Sequence, residues 1–225
     1  MKLVWCPETA TKAYLDAVKA LSEVEHEAES DVAELVSGMA GGWRAQLVVE
    51  AWARDSGVAT GIGLRAAVKH ARGRHVCVVP DEPSAAEYAD AVRRAGATTE
   101  EAVLVGEAEE TMPELEGVDL VVVDCRRRDA GRVLRAARPG ARGMVVVCKG
   151  SAAVGSRRSV GAAAVLEAGK RVVRSTYLPI GSGVEVLHVG VEKGPSLGGG
   201  GGRARWIKHV DHYTKEEHVF RRRRC

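Results

Sequence analysis

The sequence has few aromatic residues and no long apolar run. Of its 225 residues, 4% are aromatic, whereas 45% are hydrophobic and 28% are charged. No segment has the roughly 20 consecutive apolar residues that a membrane-spanning helix needs. The opening residues, MKLVWCPETATKAYL, also lack the basic-then-apolar pattern of a secretory signal. These absences predict a globular intracellular protein, cytoplasmic or also nuclear, with no membrane partner.

The five cysteines are widely spaced and form no Cys-x-x-Cys pair. Structural zinc sites and disulfide frameworks need cysteines at short or paired spacings, so neither is expected. Three histidines near the C-terminal end, His209, His212 and His218, have neither a cysteine nor a regular ligand spacing beside them. The sequence therefore predicts reduced thiols and no metal.

Positive charge is concentrated at the C-terminal end. Residues 203–225 contain eight Lys and Arg residues and three Asp and Glu residues. Since the total charge is +3, the remainder of the chain carries −2. The run RRRR before Cys225 is typical of a nuclear-import or nucleic-acid patch, but a solvated basic end explains it equally well. The acidic body and the scarcity of aromatic residues for base stacking disfavour nucleic acid as a partner.

Short apolar strands alternate with amphipathic helices along most of the chain. Two helices come first, and the second is predicted to end at Gly41-Gly42. A later helix, SAAEYADAVRRAG, is predicted to be capped by Ser84. Such alternation predicts a parallel sheet covered on both faces. A tight Gly-Ser-Gly turn near residue 182 joins the last two strands, so the final strand is expected to run antiparallel.

Composition divides the chain into four predicted parts. Residues 1–44 form N-terminal helices or a lid, and residues 45–193 form an α/β domain. The glycine-rich stretch 194–202 is a linker, because it is too flexible to hold one conformation. Residues 203–225 form a small basic hairpin or tail, in which KHVD and EHVF flank a polar turn.

Residues 45–191 resemble the class I S-adenosylmethionine-dependent methyltransferases, and their pattern is most similar to the group of catechol and caffeoyl-CoA O-methyltransferases. The resemblance rests on AAEYADAVRRAG with AVLVGEAEETMPEL, on VDLVVVD, on ARPGARGMVVV and on YLPIGSGVEVLHV. The whole chain is similar to a plant family of unknown function that is described as methyltransferase-like. The resemblance implies a Rossmann-like seven-stranded fold, mostly parallel, with a C-terminal antiparallel hairpin.

The resemblance also implies a set of residues that contact S-adenosylmethionine. This cofactor needs a close backbone approach at a glycine turn, a carboxylate for the ribose hydroxyls and a slot for adenine. GVATGIGL matches the glycine turn, and GEA after the third strand matches the adenine loop. An alternative is that the glycines serve tight packing and that the acids after strands cap helices. The candidate cofactor-binding residues are Glu50, Gly57, Thr60, Gly61, Gly63, Asp81, Gly106, Glu107, Ala108 and Asp124.

Several positions depart from the resembled pattern. AWARDS separates Glu50 from the first glycine, where those enzymes have a much shorter spacing. The group binds a divalent cation through an aspartate that matches Asp124 and through an Asp-Asn pair that is here Cys148-Lys149. Hard cations prefer oxygen ligands, so this metal site is predicted to be lost. The position of the group's catalytic lysine is here Arg127, whose guanidinium cannot act as a base.

Asp124 and Lys149 are the remaining candidates for a catalytic role. They follow the fourth and fifth strands, which are neighbours in this fold. We predict that Lys149 pairs with Asp124 and replaces the lost cation by an internal ion pair. The alternative is that both side chains point separately into solvent.

Three functions stay open from the sequence. The first is a metal-independent S-adenosylmethionine-dependent methyltransferase with an unknown acceptor. The second is a noncatalytic relative that binds a small molecule or a protein partner. The third is a nucleic-acid-associated protein that acts through the basic tail. Trp5, Trp43 and Trp52 are expected in the core or in a lid.

Overall fold

Helices and strands alternate along the chain as the sequence predicts. A computed structural model describes residues 4–24, 29–54, 56–96, 102–150, 162–167, 169–191, 206–210 and 217–221. Its helices are α1 (Pro7–Ser22), α2 (Ser30–Trp43), α3 (Ala59–Ala71), α4 (Glu82–Arg94), α5 (Ala108–Thr111, continued by a 3-10 turn at Met112–Glu114), α6 (Ala130–Ala136) and α7 (Ala162–Glu167). Its strands are β1 (Leu47–Ala51), β2 (Arg74–Val79), β3 (Ala102–Val105), β4 (Leu120–Asp124), β5 (Met144–Lys149), β6 (Arg171–Leu178), β7 (Val184–Gly190), β8 (Trp206–Val210) and β9 (Glu217–Arg221).

Seven strands form one twisted sheet in the order β3-β2-β1-β4-β5-β7-β6. Strands β1 to β5 are mutually parallel, whereas β7 runs antiparallel to both β5 and β6. The turn between β6 and β7 contains Gly181 and Gly183 with φ of 53° and 88°, a left-handed backbone that favours glycine. The predicted fold, mostly parallel with a closing antiparallel hairpin, is confirmed.

The central strands are buried on both faces, which explains their nearly continuous valine content. Because successive side chains of a strand alternate between faces, Val49 of β1 packs with α5, α6 and α7, whereas Val48 packs with α2 and α3. Glu50 shares the face of Val48 by the same alternation. The sheet is thus the middle layer of three, and Glu50 points toward the layer that contains α3.

The predicted end of α2 at Gly41-Gly42 is wrong, because the helix continues to Trp43. A Cβ at Gly41 would lie 2.5 Å from the Cβ of Ala13, and one at Gly42 would lie 2.4 Å from the Trp5 ring. These glycines therefore allow α1 and the segment before it to pack directly on α2 without ending the helix.

Two short strands pair with each other within the predicted C-terminal part. Strands β8 and β9 are antiparallel, with Trp206 opposite Arg221 and Val210 opposite Glu217. The linker 194–202, the RRRR run beyond Arg221 and the histidine at 212 lie outside the described residues. Within the part of the chain that the structure describes, no helix combines the length and the hydropathy needed to cross a membrane.

Candidate functional site

The carboxyl ends of β1, β2, β4 and β5 form one edge of the sheet, called here the carboxyl edge. Strand β1 has β2 on one side and β4 on the other, so the chain order reverses between β1 and β4. Open α/β sheets bind ligands in the crevice outside such a reversal point. Most of the site residues predicted from the sequence follow these strands, which places them at or near this edge.

Arg127 lies across the ends of β1 and β2. Its Nη1 donates to the carbonyl oxygens of Trp52 and Val78, at 2.8 and 2.7 Å. Its Nε and Nη2 donate to the two carboxylate oxygens of Asp129, at 2.8 and 2.7 Å. The side chains of Arg127 and Asp129 are only 3% and 8% exposed. Burial raises the pKa of Asp129, but the hydrogen bonds and charge of Arg127 outweigh it and leave this pKa below its ordinary value.

Trp52 anchors the long loop that separates Glu50 from the glycines. Its ring is 1% exposed and meets the Tyr88 ring edge-on, with centroids 5.4 Å apart. Its Nε1 donates to the carbonyl oxygen of Gly57 at 2.7 Å, and Gly57 has a left-handed φ of 65°. The loop is therefore anchored by a buried indole, and Gly57 serves this turn.

The predicted ion pair between Lys149 and Asp124 is confirmed. Lys149 Nζ lies 3.8 Å from Asp124 Oδ2, and the Lys149 side chain is only 2% exposed. The ammonium also donates to Thr60 Oγ1 at 3.2 Å and lies 3.5 Å from Glu29 Oε2. Lys149 thus links the first turn of α3, the start of α2 and the end of β4.

Asp124 has a second cationic partner that the sequence did not indicate. The Nε of Arg126 lies 2.9 and 3.1 Å from the two Asp124 oxygens, and Nη2 of Arg126 contacts Oδ2. The backbone N–H of Arg126 donates to Oδ1 at 2.9 Å. Burial raises the pKa of Asp124, but the Arg126 hydrogen bonds and the Lys149 charge prevail and lower it. Both oxygens of Asp124 are therefore engaged by the chain itself.

Glu29 is a site residue that sequence reasoning missed. It precedes α2 with a left-handed φ of 66°, and besides Lys149 it lies 3.8 Å from Arg126 and accepts a hydrogen bond from Ser182. The neighbouring Asp31 accepts from the backbone N–H of Gly181 at 3.1 Å. The available signal is the acidic stretch SEVEHEAES, which ends where α2 begins. Its charge complements the cations of the carboxyl edge.

Glu50, Gly61 and Gly63 are explained by packing inside the protein. Glu50 is buried, with Oε2 3.4 Å from Nε2 of His75. A Cβ at Gly61 would lie 2.7 Å from the Tyr88 hydroxyl and 3.0 Å from Glu50 Oε2. A Cβ at Gly63 would lie 2.5 Å from a backbone oxygen of α2. These contacts agree with the alternative that the two glycines allow tight packing.

Asp81 caps α4, which corrects the predicted cap at Ser84. The helix begins at Glu82, and the backbone N–H of Ser84 donates to Asp81 Oδ1 at 2.7 Å. Hydrogen bonding to Ser84 lowers the pKa of Asp81. The residue is exposed, and the cap uses one of its two oxygens, so its carboxylate is still accessible at the end of β2.

The predicted adenine loop follows β3. Gly106 has φ of 145°, and the following Glu107 pairs with Arg132 at 2.8 Å. Ala108 is fully buried. This loop therefore presents its backbone groups and one exposed carboxylate to a ligand, and that carboxylate, Glu107, is already paired with Arg132.

The polar side chains at the carboxyl edge, as they are arranged, do not fit S-adenosylmethionine. Arg127 donates hydrogen bonds to carbonyl oxygens at the ends of β1 and β2. Lys149 and Arg126 neutralise the charge of Asp124. Glu50 is buried near the end of β1, and among the carboxylates predicted to bind the cofactor Asp81 alone is both exposed and unpaired with a described cation. Among the described residues, no cluster of three His, Cys, Asp or Glu side chains could hold a metal ion.

Comparison with solved structures defines the class of fold. The S-adenosylhomocysteine-bound methyltransferase PaMTH1 from Podospora anserina is similar, with a TM-score of 0.52 and 14% identity over 82% of this chain and 89% of that one. A Corynebacterium glutamicum protein has a TM-score of 0.52 and 17% identity, over 84% of this chain and 92% of that one. A candidate caffeoyl-CoA O-methyltransferase from Staphylococcus aureus has a TM-score of 0.51 and 12% identity, over 77% of this chain and 89% of that one. The chain has the class I methyltransferase fold, and at these identities the likeness shows the fold alone.

Comparison with protein families places the sequence more narrowly. The family described as "Protein of unknown function (DUF1442)" matches residues 1–222, and the chain belongs to this family. No curated protein matches the sequence significantly.

Proposed function

We propose that this protein is a noncatalytic member of the methyltransferase fold, a binding protein in which the chain's own side chains replace the cofactor at the carboxyl edge. The observation that carries the proposal is the buried Arg127, which follows β4 and donates four hydrogen bonds, two of them at the ends of β1 and β2, beside the reversal point of the sheet. A ligand at this point would have to displace a guanidinium that is already matched to Asp129 and to two carbonyl oxygens.

The chemistry of the edge supports the same proposal. An arginine stays protonated at neutral pH and cannot remove a proton from an acceptor. The two oxygens of Asp124 accept from Arg126, so this carboxylate has no free oxygen for a substrate or a metal. The ion pairs of Lys149 link α2, α3 and β4, which is a structural task.

A second candidate is a metal-independent S-adenosylmethionine-dependent methyltransferase with an unidentified acceptor. It is supported by the exposed Asp81 carboxylate at the end of β2, where the resemblance to methyltransferases implies a carboxylate for the ribose hydroxyls. The S-adenosylhomocysteine bound to PaMTH1 is also consistent with it. This candidate requires Arg127 to leave its position when the ligand enters.

Isothermal titration of the full chain with S-adenosylhomocysteine and S-adenosylmethionine separates the two candidates. The matched variants are Asp81→Asn, which keeps a good helix cap but removes the charge, and Glu82→Gln, which removes the neighbouring charge. The proposal predicts no saturable heat up to millimolar ligand for any of the three proteins. Saturable binding that Asp81→Asn abolishes and Glu82→Gln preserves would establish the second candidate.

A further inference from the structure

A cavity lies between α2 and the hairpin of β6 and β7. Its volume is about 350 Å³, near the lower end of the range of roughly 300 to 1,000 Å³ for small-molecule sites. The principal lining residues are Trp5, Met39, Trp43, Arg174, Val186 and His188.

The register of the sheet places the His188 end of this cavity away from the carboxyl edge, whereas the lining residue Leu178 lies opposite Val184, at the level of Lys149. His188 of β7 lies opposite Val145, whereas Val184 lies opposite Lys149. Val145 and Lys149 are four residue steps apart along β5, which corresponds to about 13 Å at ~3.3 Å per residue. The two sites are therefore on the same sheet but do not share these side chains.

Aromatic rings form the walls of the cavity. The rings of Trp43 and His188 stack with centroids 5.5 Å apart and an angle of 28°. The ring of Trp5 packs against Gly42, where a Cβ would lie 2.4 Å from it, yet 52% of Trp5 is exposed. Such flat, apolar walls favour a planar ligand that can stack on the rings.

The polar groups of the cavity define the charge of its ligand. Arg174 is the one lining residue that carries a permanent charge, and it forms no ion pair or side-chain hydrogen bond with a described residue. His188 has a buried Nδ1 without a hydrogen-bond partner. Burial, assisted by the charge of Arg174, lowers the pKa of His188, so its imidazole is neutral at neutral pH.

Two kinds of ligand commonly use aromatic walls, and the guanidinium discriminates between them. Quaternary ammonium groups bind in aromatic cages, but Arg174 would repel a cation here. A carboxylate instead forms a paired, charge-assisted hydrogen bond with an arginine. A buried nitrogen without a partner also gains from a polar ligand atom.

We propose that this cavity is a binding site for a planar aromatic carboxylate of one or two rings. The ring system stacks on the half-exposed Trp5, beside the stacked pair of Trp43 and His188, and the carboxylate pairs with Arg174. This site does not depend on the state of the carboxyl edge, so its test is independent of whether S-adenosylmethionine binds.

The test uses naphthalene-2-carboxylate as the probe, with 2-naphthalenemethanol as the neutral analogue and a naphthylmethyl-trimethylammonium salt as the cation. Titration calorimetry of the full chain is expected to show saturable, one-to-one binding of the carboxylate. Arg174→Gln is expected to weaken it about 2- to 5-fold, because Arg174 is exposed and a solvent-exposed ion pair contributes at most about a factor of five. The matched control Arg94→Gln, an exposed arginine of α4, is expected to leave the affinity unchanged.

Other outcomes overturn the proposal directly. It fails if the carboxylate does not saturate the wild type, if Arg174→Gln binds it as well as Arg94→Gln does, or if the cation binds more tightly than the carboxylate. Trp5→Ala provides a second check, because the truncation of a half-exposed ring leaves the core intact. An unchanged affinity in that variant would exclude stacking on Trp5.

Discussion

Replacing Arg127 by methionine would remove the guanidinium from the carboxyl edge while keeping a side chain of similar length. The change leaves Asp129 as a buried carboxylate without its cation and removes the Arg127 donor from the Trp52 carbonyl oxygen, whereas the Val78 carbonyl oxygen still accepts from the backbone N–H of Trp52 at 3.2 Å. Removing one partner of a buried ion pair costs about 3–5 kcal/mol, because the other charge stays desolvated. We expect Arg127→Met to lower the free energy of unfolding by about this amount.

Urea denaturation followed by circular dichroism measures this loss. The matched control is Arg128→Met in the same loop, where the arginine is exposed and a change within about 0.5 kcal/mol is expected. Adding Asp129→Asn should recover part of the loss of Arg127→Met, since the residues interact directly. A loss below about 1 kcal/mol for Arg127→Met would refute the reasoning, because the guanidinium would then not be held by the edge in solution.

Two further predictions concern the glycine turn and the buried carboxylate. Gly61→Ala should destabilise the protein by about 1–3 kcal/mol through its clash with Tyr88, whereas Gly38→Ala, with no atom within 4 Å of the added Cβ, should stabilise it by about 0.5–1 kcal/mol. Urea midpoints check both, and equal effects at the two glycines would contradict the packing role of Gly61. Because the folded pKa of Asp124 lies below its ordinary value of 3.8, its contribution to stability is complete above that pH and disappears as the pH falls through the lower folded value. Urea midpoints measured between pH 5 and pH 2 should therefore fall more steeply for the wild type than for Asp124→Asn, and parallel profiles would contradict the assignment.

The fold was predictable because its signals are local and repeated. Valine-rich strands such as VDLVVVD, the helices between them and the Gly-Ser-Gly turn each indicate one element, and together they define the sheet. The pairing of Asp124 with Lys149 was predictable for the same reason, since parallel neighbours end at one edge. Only element ends were misplaced, as at Gly42, where close packing and not chain termination requires the glycine.

The state of the site was not predictable, because it depends on contacts between residues far apart in sequence. Arg127 was interpreted as a substituted catalytic lysine, whereas its guanidinium reaches Trp52, 75 positions away. Glu29 approaches Lys149 only once α2 has packed on α3. The same glycines and acids are compatible with a cofactor loop or with tight packing until the positions of such partners are known.

A crystal structure of the full chain grown with millimolar S-adenosylhomocysteine tests the central claim most directly. The account predicts that the Arg127 guanidinium stays within hydrogen-bond distance of the Trp52 and Val78 carbonyl oxygens, with no nucleoside at the carboxyl edge. Electron density for the ligand beside Asp81, with Arg127 displaced from those carbonyl oxygens, would contradict it.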